Sequence, residues 1–183
     1  MGAIHNGIET ALSDDILLNK WKLESVYGAT KAEKPDYCIF NNTYKALKLL
    51  DKHIKRNSTI VFHADVDVDG VGTTYIMKTA LRYLGSNNHA LLINRDKIHG
   101  VQQKHVEYFK DKNVDLIIIT DSSSNDIEII KQFNCDVLCI DHHDLLHTDL
   151  SGVCNNGVSE YVIVNNTIDS PTYDEDFAWL QSF

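Results

Sequence analysis

Three short clusters of acidic and imidazole side chains hold the chemistry that this sequence could perform. They are residues 63–70 (HADVDVDG), 121–124 (DSSS) and 141–144 (DHHD). Carboxylates that crowd together repel one another unless they are protonated or bridged by cations. Carboxylates combined with imidazoles suit Mn²⁺, Fe²⁺, Co²⁺ or Zn²⁺ better than Mg²⁺ alone. The clusters therefore predict a metal centre, and two ions about 3.5–4 Å apart would form a clamp for hydrolysis of a phosphate ester.

Each cluster directly follows an apolar run that is typical of a buried strand. Strands are predicted at 59–62, 90–93, 114–119, 136–140 and 161–164, with helical patterns between them. This alternation predicts an α/β fold, a doubly wound, mostly parallel five-stranded sheet with helices on both faces. Right-handed crossovers bring the carboxyl ends of such strands to one edge of the sheet, which is where ligands bind.

A single cluster would be weak evidence for a metal site. The first resembles the start of a calcium loop, but position 12 counted from Asp65 is Ile76 rather than Glu, and an Asp-His-His triplet is often only a capping turn. In an extended segment, Asp65, Asp67 and Asp69 would all point the same way. Three clusters in order, each after a strand, favour a shared metal site.

Length and composition indicate a soluble globular chain. The 183 residues are 43% hydrophobic with a net charge of −9, and they contain no apolar run of the roughly 18–20 residues that a membrane helix needs. We expect a helical lead-in over 1–40, a domain over 41–183 and a cytoplasmic location, because no signal peptide is recognised. The negative charge argues against a broad nucleic-acid-coating surface, although cations held by an acidic enzyme can still bind phosphodiesters.

The ordered clusters resemble the first three motifs of the DHH phosphoesterase superfamily, most closely its RecJ-like single-strand exonuclease branch. The resemblance extends over about residues 40–166 and includes the segment that runs from Arg95 to Val101. It implies a DHH-domain-like fold. The fourth motif and the C-terminal domain of that branch are missing, so the chain resembles the N-terminal part of such an enzyme.

The resemblance also implies roles for individual residues. Three residues of the first cluster, His63, Asp67 and Asp69, correspond to metal ligands. Asp121 corresponds to the carboxylate that bridges two ions, and His142 to a ligand of the second ion.

Four further residues have supporting roles at the predicted site. His143 corresponds to the imidazole that contacts the phosphate and stabilises developing charge. Asp65 matches a family position close to the metals, and we expect Asp141 to orient an imidazole. Arg95 follows a predicted strand at the same edge, which makes it a candidate substrate contact.

The function implied by the resemblance is a Mn²⁺-dependent phosphodiesterase, a RecJ-like exonuclease that hydrolyses single-stranded DNA or short oligonucleotides. Two Mn²⁺ ions are expected, with Mg²⁺ or Co²⁺ as alternatives. Two other functions stay open. The same centre would suit a cyclic-dinucleotide phosphodiesterase or a pyrophosphatase, and a non-catalytic module would bind a replication or repair partner, or a separate subunit that supplies the missing C-terminal part. A membrane partner is not expected.

Overall fold

The computed structural model of the chain describes residues 42–94, 98–146, 153–155, 157 and 159–165. The predicted lead-in over 1–40 and the candidate substrate contact Arg95 lie outside this part of the chain. This part of the chain contains six strands and four helices, and strands and helices alternate from the first helix to the fourth strand. The strands are β1 (Ile60–Ala64), β2 (His89–Ile93), β3 (Leu116–Thr120), β4 (Asp136–Asp141), β5 (Val153–Asn155) and β6 (Glu160–Asn165). The helices are α1 (Thr43–Lys55), α2 (Val68–Tyr83), α3 (Gln103–Phe109) and α4 (Ile127–Ile130).

The described strands form one sheet in the order β2-β1-β3-β4-β6-β5. Five of them run parallel, and β5 pairs antiparallel with β6 at the edge. The predicted α/β fold with a mostly parallel sheet is confirmed. The short edge strand β5 is an addition, because three residues carry too little periodicity to be recognised in the sequence.

Apolar side chains alternate between the two faces of the sheet, and each face has its own core. One core joins Val61, Ile117 and Ile119 to residues of α3 and α4, and the other joins Phe62 and Ile118 to residues of α1 and α2. Strands buried on both faces explain the nearly continuous apolar runs in the sequence. The helices therefore lie on both faces, as the alternation of elements predicts.

The chain turns directly from β1 into α2. Asp67 is the N-cap of α2, and its side chain accepts a hydrogen bond of 3.0 Å from the backbone N–H of Gly70. The segment that holds the acidic residues is therefore not extended, contrary to the expectation that alternation alone would align the three carboxylates. Gly70 lies so close to Asp65 that an added Cβ would sit 2.8 Å from the Cβ of Asp65, so this first helical turn requires glycine.

Polar contacts also connect α1 to the sheet at the opposite edge, where the parallel strands begin. Asp136, at the start of β4, accepts hydrogen bonds from Nε2 of His53 at 2.9 Å and from the backbone N–H of Glu160 at 2.8 Å. Lys52 forms an ion pair with the same carboxylate at 2.5 Å. This network joins α1 to β4 and β6. Among the described residues, no helix is long and apolar enough to cross a membrane.

Candidate metal centre

Three neighbouring strands end together at the edge that holds the predicted site. Register pairs Ala64 of β1 with Thr120 of β3, and Thr120 with Ile140 of β4. Asp65 and Asp121 are the next residues after β1 and β3, and Asp141 is the last residue of β4. The three sequence clusters thus meet at one edge, as the parallel topology requires.

Asp121 lies at the centre of the acidic side chains. Ligand atoms of Asp67, Asp69 and Asp121 lie within 4.8 Å of one another. Burial, together with the neighbouring carboxylates Asp69 and Asp67, raises the pKa of Asp121 to about 8. Its backbone has a φ of 64°, in the left-handed region that few residues other than glycine adopt, and such strain is concentrated at functional sites.

His142 connects the third cluster to these carboxylates. Its Nε2 lies 3.0 Å from Oδ1 of Asp121 and 3.9 Å from Oδ2 of Asp69. Asp121, His142 and His143 form a second group whose ligand atoms lie within 4.8 Å of one another. Asp121 belongs to both groups, so it is placed between the first and third clusters.

Asp141 holds the backbone and the second imidazole of the third cluster. Its Oδ1 accepts hydrogen bonds from Nδ1 of His143 at 2.7 Å and from the backbone N–H groups of His142 and His143, and its Oδ2 accepts from the backbone N–H of Ser124 at 2.9 Å. Burial opposes ionisation, but these hydrogen bonds hold the pKa of Asp141 below its ordinary value. Burial likewise opposes protonation of His143, yet Asp141 and the nearby carboxylates raise the pKa of His143.

His63 is buried in β1, and among the described residues neither of its ring nitrogens has a hydrogen-bond partner. Its ring packs edge-on against His105 with centroids 4.7 Å apart. Burial and the nearby His105 lower the pKa of His63 to about 4, which keeps the imidazole neutral, as a metal ligand must be. In the described part of the chain, His63 does not belong to the groups whose ligand atoms lie within 4.8 Å of one another.

Two residues that the sequence did not single out also contact the site. Nδ1 of His99 lies 2.7 Å from Oδ2 of Asp65, and His99, Asp65 and Asp67 form a third group of close ligand atoms. Asn165, the last residue of β6, donates hydrogen bonds of 3.0 Å to Oγ of Ser124 and to the backbone oxygen of His143. Its position after an apolar strand was a signal for Asn165, whereas no local pattern marks His99.

The residues present fit a divalent cation. Oδ2 of Asp121 is buried and has no hydrogen-bond partner in the part of the chain that the structure describes, although a buried carboxylate oxygen normally has one. A cation would satisfy this atom and reduce the repulsion between Asp121 and its acidic neighbours. Carboxylates and imidazoles are the donor set that borderline divalent metals prefer.

Comparisons with known proteins agree with this placement of motifs. The model of the DHH family, N-terminal domain, matches residues 57–160. The chain is 30% identical over 142 residues to a protein of Bacillus subtilis (strain 168) that is provisionally named an SPbeta prophage-derived single-strand DNA-specific exonuclease, YorK. It is 30% identical to the protein of Bacillus phage SPbeta with the corresponding provisional name. These alignments cover 75% of this chain and 22% of each relative.

Two solved structures share the fold. The first is exonuclease RecJ bound to manganese, with a TM-score of 0.59 and 20% identity over 83% of this chain and 38% of that one. The second is CDC45 from Entamoeba histolytica, with a TM-score of 0.50 and 17% identity over 77% of this chain and 28% of that one. The family match extends over more than half of the residues and includes all three clusters. The chain therefore belongs to the DHH family, with a RecJ-like fold.

Proposed function

We propose that this chain is a metal-dependent phosphodiesterase that hydrolyses single-stranded DNA or short oligonucleotides. The observation that supports it best is the position of Asp121, whose carboxylate lies close to Asp67 and Asp69 on one side and to His142 on the other. A carboxylate between two sets of donors is suited to bridge a pair of ions. The substrate is proposed from the names of the Bacillus relatives and from the RecJ fold.

The proposed ligands are the residues whose ligand atoms lie close to Asp121, together with the buried His63 of β1. His63, Asp67, Asp69, Asp121 and His142 would hold the metal, with Asp121 as the bridging residue. Two Mn²⁺ ions are proposed, and Mg²⁺ or Co²⁺ would be alternatives. When bound, such ions lower the pKa of water and neutralise the charge of a phosphate.

Other side chains would bind and orient the substrate. His143 projects from the same turn as His142, and Asp141 fixes its ring through Nδ1, which leaves Nε2 to contact a phosphate oxygen. Asp65 is proposed to hold the backbone of the first cluster in place, because its side chain is buried against the first turn of α2. Arg95 remains a proposed substrate contact at the same edge.

The proposal concerns a chain that spans 22% of the length of its Bacillus relatives. We propose that residues 41–183 form the DHH domain, and that a substrate-binding part equivalent to the rest of those relatives is supplied by another segment or by a protein partner. The proposed metal ligands all come from the three clusters described above. Hydrolysis of short substrates by this chain is therefore part of the proposal.

The test is Mn²⁺-dependent hydrolysis of 5′-phosphorylated single-stranded DNA by the purified chain, with a duplex of the same sequence as a comparison. Asp121→Asn is expected to abolish hydrolysis, because it removes one of the carboxylate oxygens that the site requires. Asp111→Asn is the matched control, since Asp111 is exposed and outside the site. Equal activity of Asp121→Asn and the unmodified chain would refute the proposal, as would cleavage that persists when a chelator removes all divalent metal.

A further inference from the structure

His99 lies at the rim of the candidate metal centre and is oriented by a buried carboxylate. Its side chain is 65% exposed, whereas the side chain of Asp65, 2.7 Å away, is fully buried. The contact joins Nδ1 of His99 to Oδ2 of Asp65. A ring nitrogen of His99 also lies within 4.8 Å of a carboxylate oxygen of Asp67, so the exposed imidazole borders the proposed ligands.

The backbone on both sides of His99 is held in place. The side chain of Asn94 hydrogen-bonds to the backbone oxygen of Ile98, and the backbone N–H of Val101 donates to Oγ of Ser123 at 2.8 Å. Gly100 has a φ of 78°, and an added Cβ there would clash with the side chains of Asp126 and Ser123. The imidazole is therefore presented on a fixed backbone, which reduces the entropy lost when it binds a ligand.

His99 and Asp65 repeat the arrangement of His143 and Asp141. In both pairs a buried carboxylate contacts Nδ1 of an exposed or half-exposed imidazole at 2.7 Å. Because Nδ1 is engaged, Nε2 is the atom that remains for an external ligand, and no described residue hydrogen-bonds to Nε2 of His99. When Asp65 accepts from Nδ1–H, Nε2 is an acceptor in the neutral ring and a donor in the imidazolium, so only the imidazolium donates to a phosphate oxygen while it keeps the contact with Asp65.

We propose that the doubly protonated ring of His99 donates from Nε2 to a phosphate oxygen of the single-stranded DNA substrate, with Asp65 as the residue that positions the ring; this rests on the proposed function. A metal ligand is the competing role. The group that His99 forms with Asp65 and Asp67 disfavours that role, because both oxygens of Asp65 are already engaged, Oδ2 with His99 and Oδ1 with the backbone N–H of Val66 at 2.6 Å, and only Asp67 remains as a carboxylate ligand. A nucleic acid chain that reaches the metals would pass this rim, where His99 supplies a donor among carboxylates.

Two substitutions separate binding of phosphate from support of Asp65. In His99→Asn the amide nitrogen replaces Nδ1 and keeps the contact with Asp65, whereas in His99→Gln the amide nitrogen replaces Nε2. We would measure binding of a fluorescein-labelled single-stranded oligothymidylate in Ca²⁺ by anisotropy, and KM and kcat in Mn²⁺. His99→Asn and His99→Ala are expected to weaken DNA binding and to raise KM about fivefold to tenfold, the loss of one charge-assisted hydrogen bond. His99→Gln is expected to retain most of the affinity.

The same variants identify each way in which the inference fails. Wild-type affinity for DNA in His99→Asn would mean that His99 only supports Asp65. A parallel loss of Mn²⁺ affinity, measured by calorimetry, would mean that His99 is a metal ligand. Either result, or failure of the unmodified chain to bind DNA, would overturn the inference. The outcome for hydrolysis is separate: weaker DNA binding by His99→Asn, without hydrolysis by the unmodified chain, would support this inference and refute the proposed function.

Discussion

Nε2 of His142 lies 3.0 Å from Oδ1 of Asp121, although the two residues are 21 positions apart in the chain. The contact exists because β3 and β4 are parallel neighbours whose ends are in register at Thr120 and Ile140. Asp121 leaves β3 with a φ of 64° and hydrogen-bonds through its backbone N–H to the oxygen of Ile140 at 2.8 Å. The sheet thus fixes the distance between a carboxylate and an imidazole that proposed metal binding needs.

Gly70 and Gly72 provide a test of how closely α2 must approach Asp65. Ala at position 70 would place its Cβ 2.8 Å from the Cβ of Asp65, whereas an added Cβ at position 72 would meet no other element among the described residues. We expect Gly70→Ala to lower the free energy of unfolding by about 1–3 kcal/mol and to reduce hydrolysis. Gly72→Ala should raise the free energy of unfolding by about 0.5–1 kcal/mol, because it replaces a helical glycine. Urea denaturation followed by circular dichroism measures both, and equal effects would contradict the close approach.

We expect the side chain of Asp121 to lower the free energy of unfolding of the metal-free chain and to be required for metal binding. Burial beside Asp67 and Asp69 raises the pKa of Asp121 to about 8, which costs folding free energy at pH 7, and the neutral amide of Asp121→Asn removes this cost. In the presence of a chelator we expect the variant to be at least as stable as the unmodified chain, with a gain on the order of 1 kcal/mol. Addition of Mn²⁺ should raise the melting temperature of the unmodified chain and not that of the variant. A variant that is less stable in chelator, yet stabilised equally by Mn²⁺, would contradict this role.

The network around Asp136 predicts how stability depends on pH. Burial opposes ionisation of Asp136, but hydrogen bonds from His53, from the backbone of Glu160 and from Lys52 hold the pKa of Asp136 well below its ordinary value of 3.8. Because the folded-state pKa is depressed, the stabilisation is fully present above about pH 4 and is lost as the pH falls below that value. Asp136→Asn should lower the free energy of unfolding at pH 7 by about 1–2 kcal/mol.

Urea denaturation at several pH values measures the contribution of Asp136. The difference between the unmodified chain and Asp136→Asn should stay constant from about pH 7 to about pH 5 and become smaller below about pH 4. The exposed Asp111→Asn variant is the control for a change of net charge. A difference that grows as the pH falls would show that Asp136 is not the stabilised anion.

Asn165 is predicted to position the turn that contains His143. Its buried side chain donates to the backbone oxygen of His143 and to Oγ of Ser124, both at 3.0 Å. Asn165→Ala should lower kcat about tenfold, since a displaced phosphate-binding imidazole costs transition-state stabilisation. The affinity for Mn²⁺ should change little because Asp67 and Asp69 lie at the start of α2 and Asp121 directly follows β3, outside the turn that Asn165 contacts. Asn87→Ala, at an exposed turn, is the matched control, and a loss of Mn²⁺ affinity in Asn165→Ala would contradict the assignment.

The strands and their polar ends were predictable because they depend on local pattern and on topology. Apolar runs such as Leu116–Thr120 mark strands buried on both faces, and parallel topology places the residues after them at one edge. Those two rules were sufficient to predict that Asp121 and His142 lie at the same edge of the sheet. They do not determine side-chain geometry, and the roles of His63 and Arg95 as ligand and substrate contact stay predictions.

Long-range contacts account for the features that the sequence did not reveal. His99 is 34 residues from Asp65, and no spacing rule connects the two. Helix α3 begins at Gln103 because Gln102, in an extended conformation, caps its first turn together with His105, a contact that no spacing in the sequence revealed. The carboxylates of the first cluster are brought close by the turn into α2 rather than by an extended strand, since Asp67 caps that helix.

The most direct test of the central claim, that the three strand ends form one divalent metal centre, is a titration of the purified chain with Mn²⁺, followed by the electron paramagnetic resonance signal of the free ion. We expect saturable binding by the unmodified chain and by Asp111→Asn, with at least tenfold weaker binding by Asp121→Asn because the shared carboxylate is lost. The same affinity in Asp121→Asn and in the unmodified chain, or no saturable binding by either, would contradict a metal centre at these strand ends.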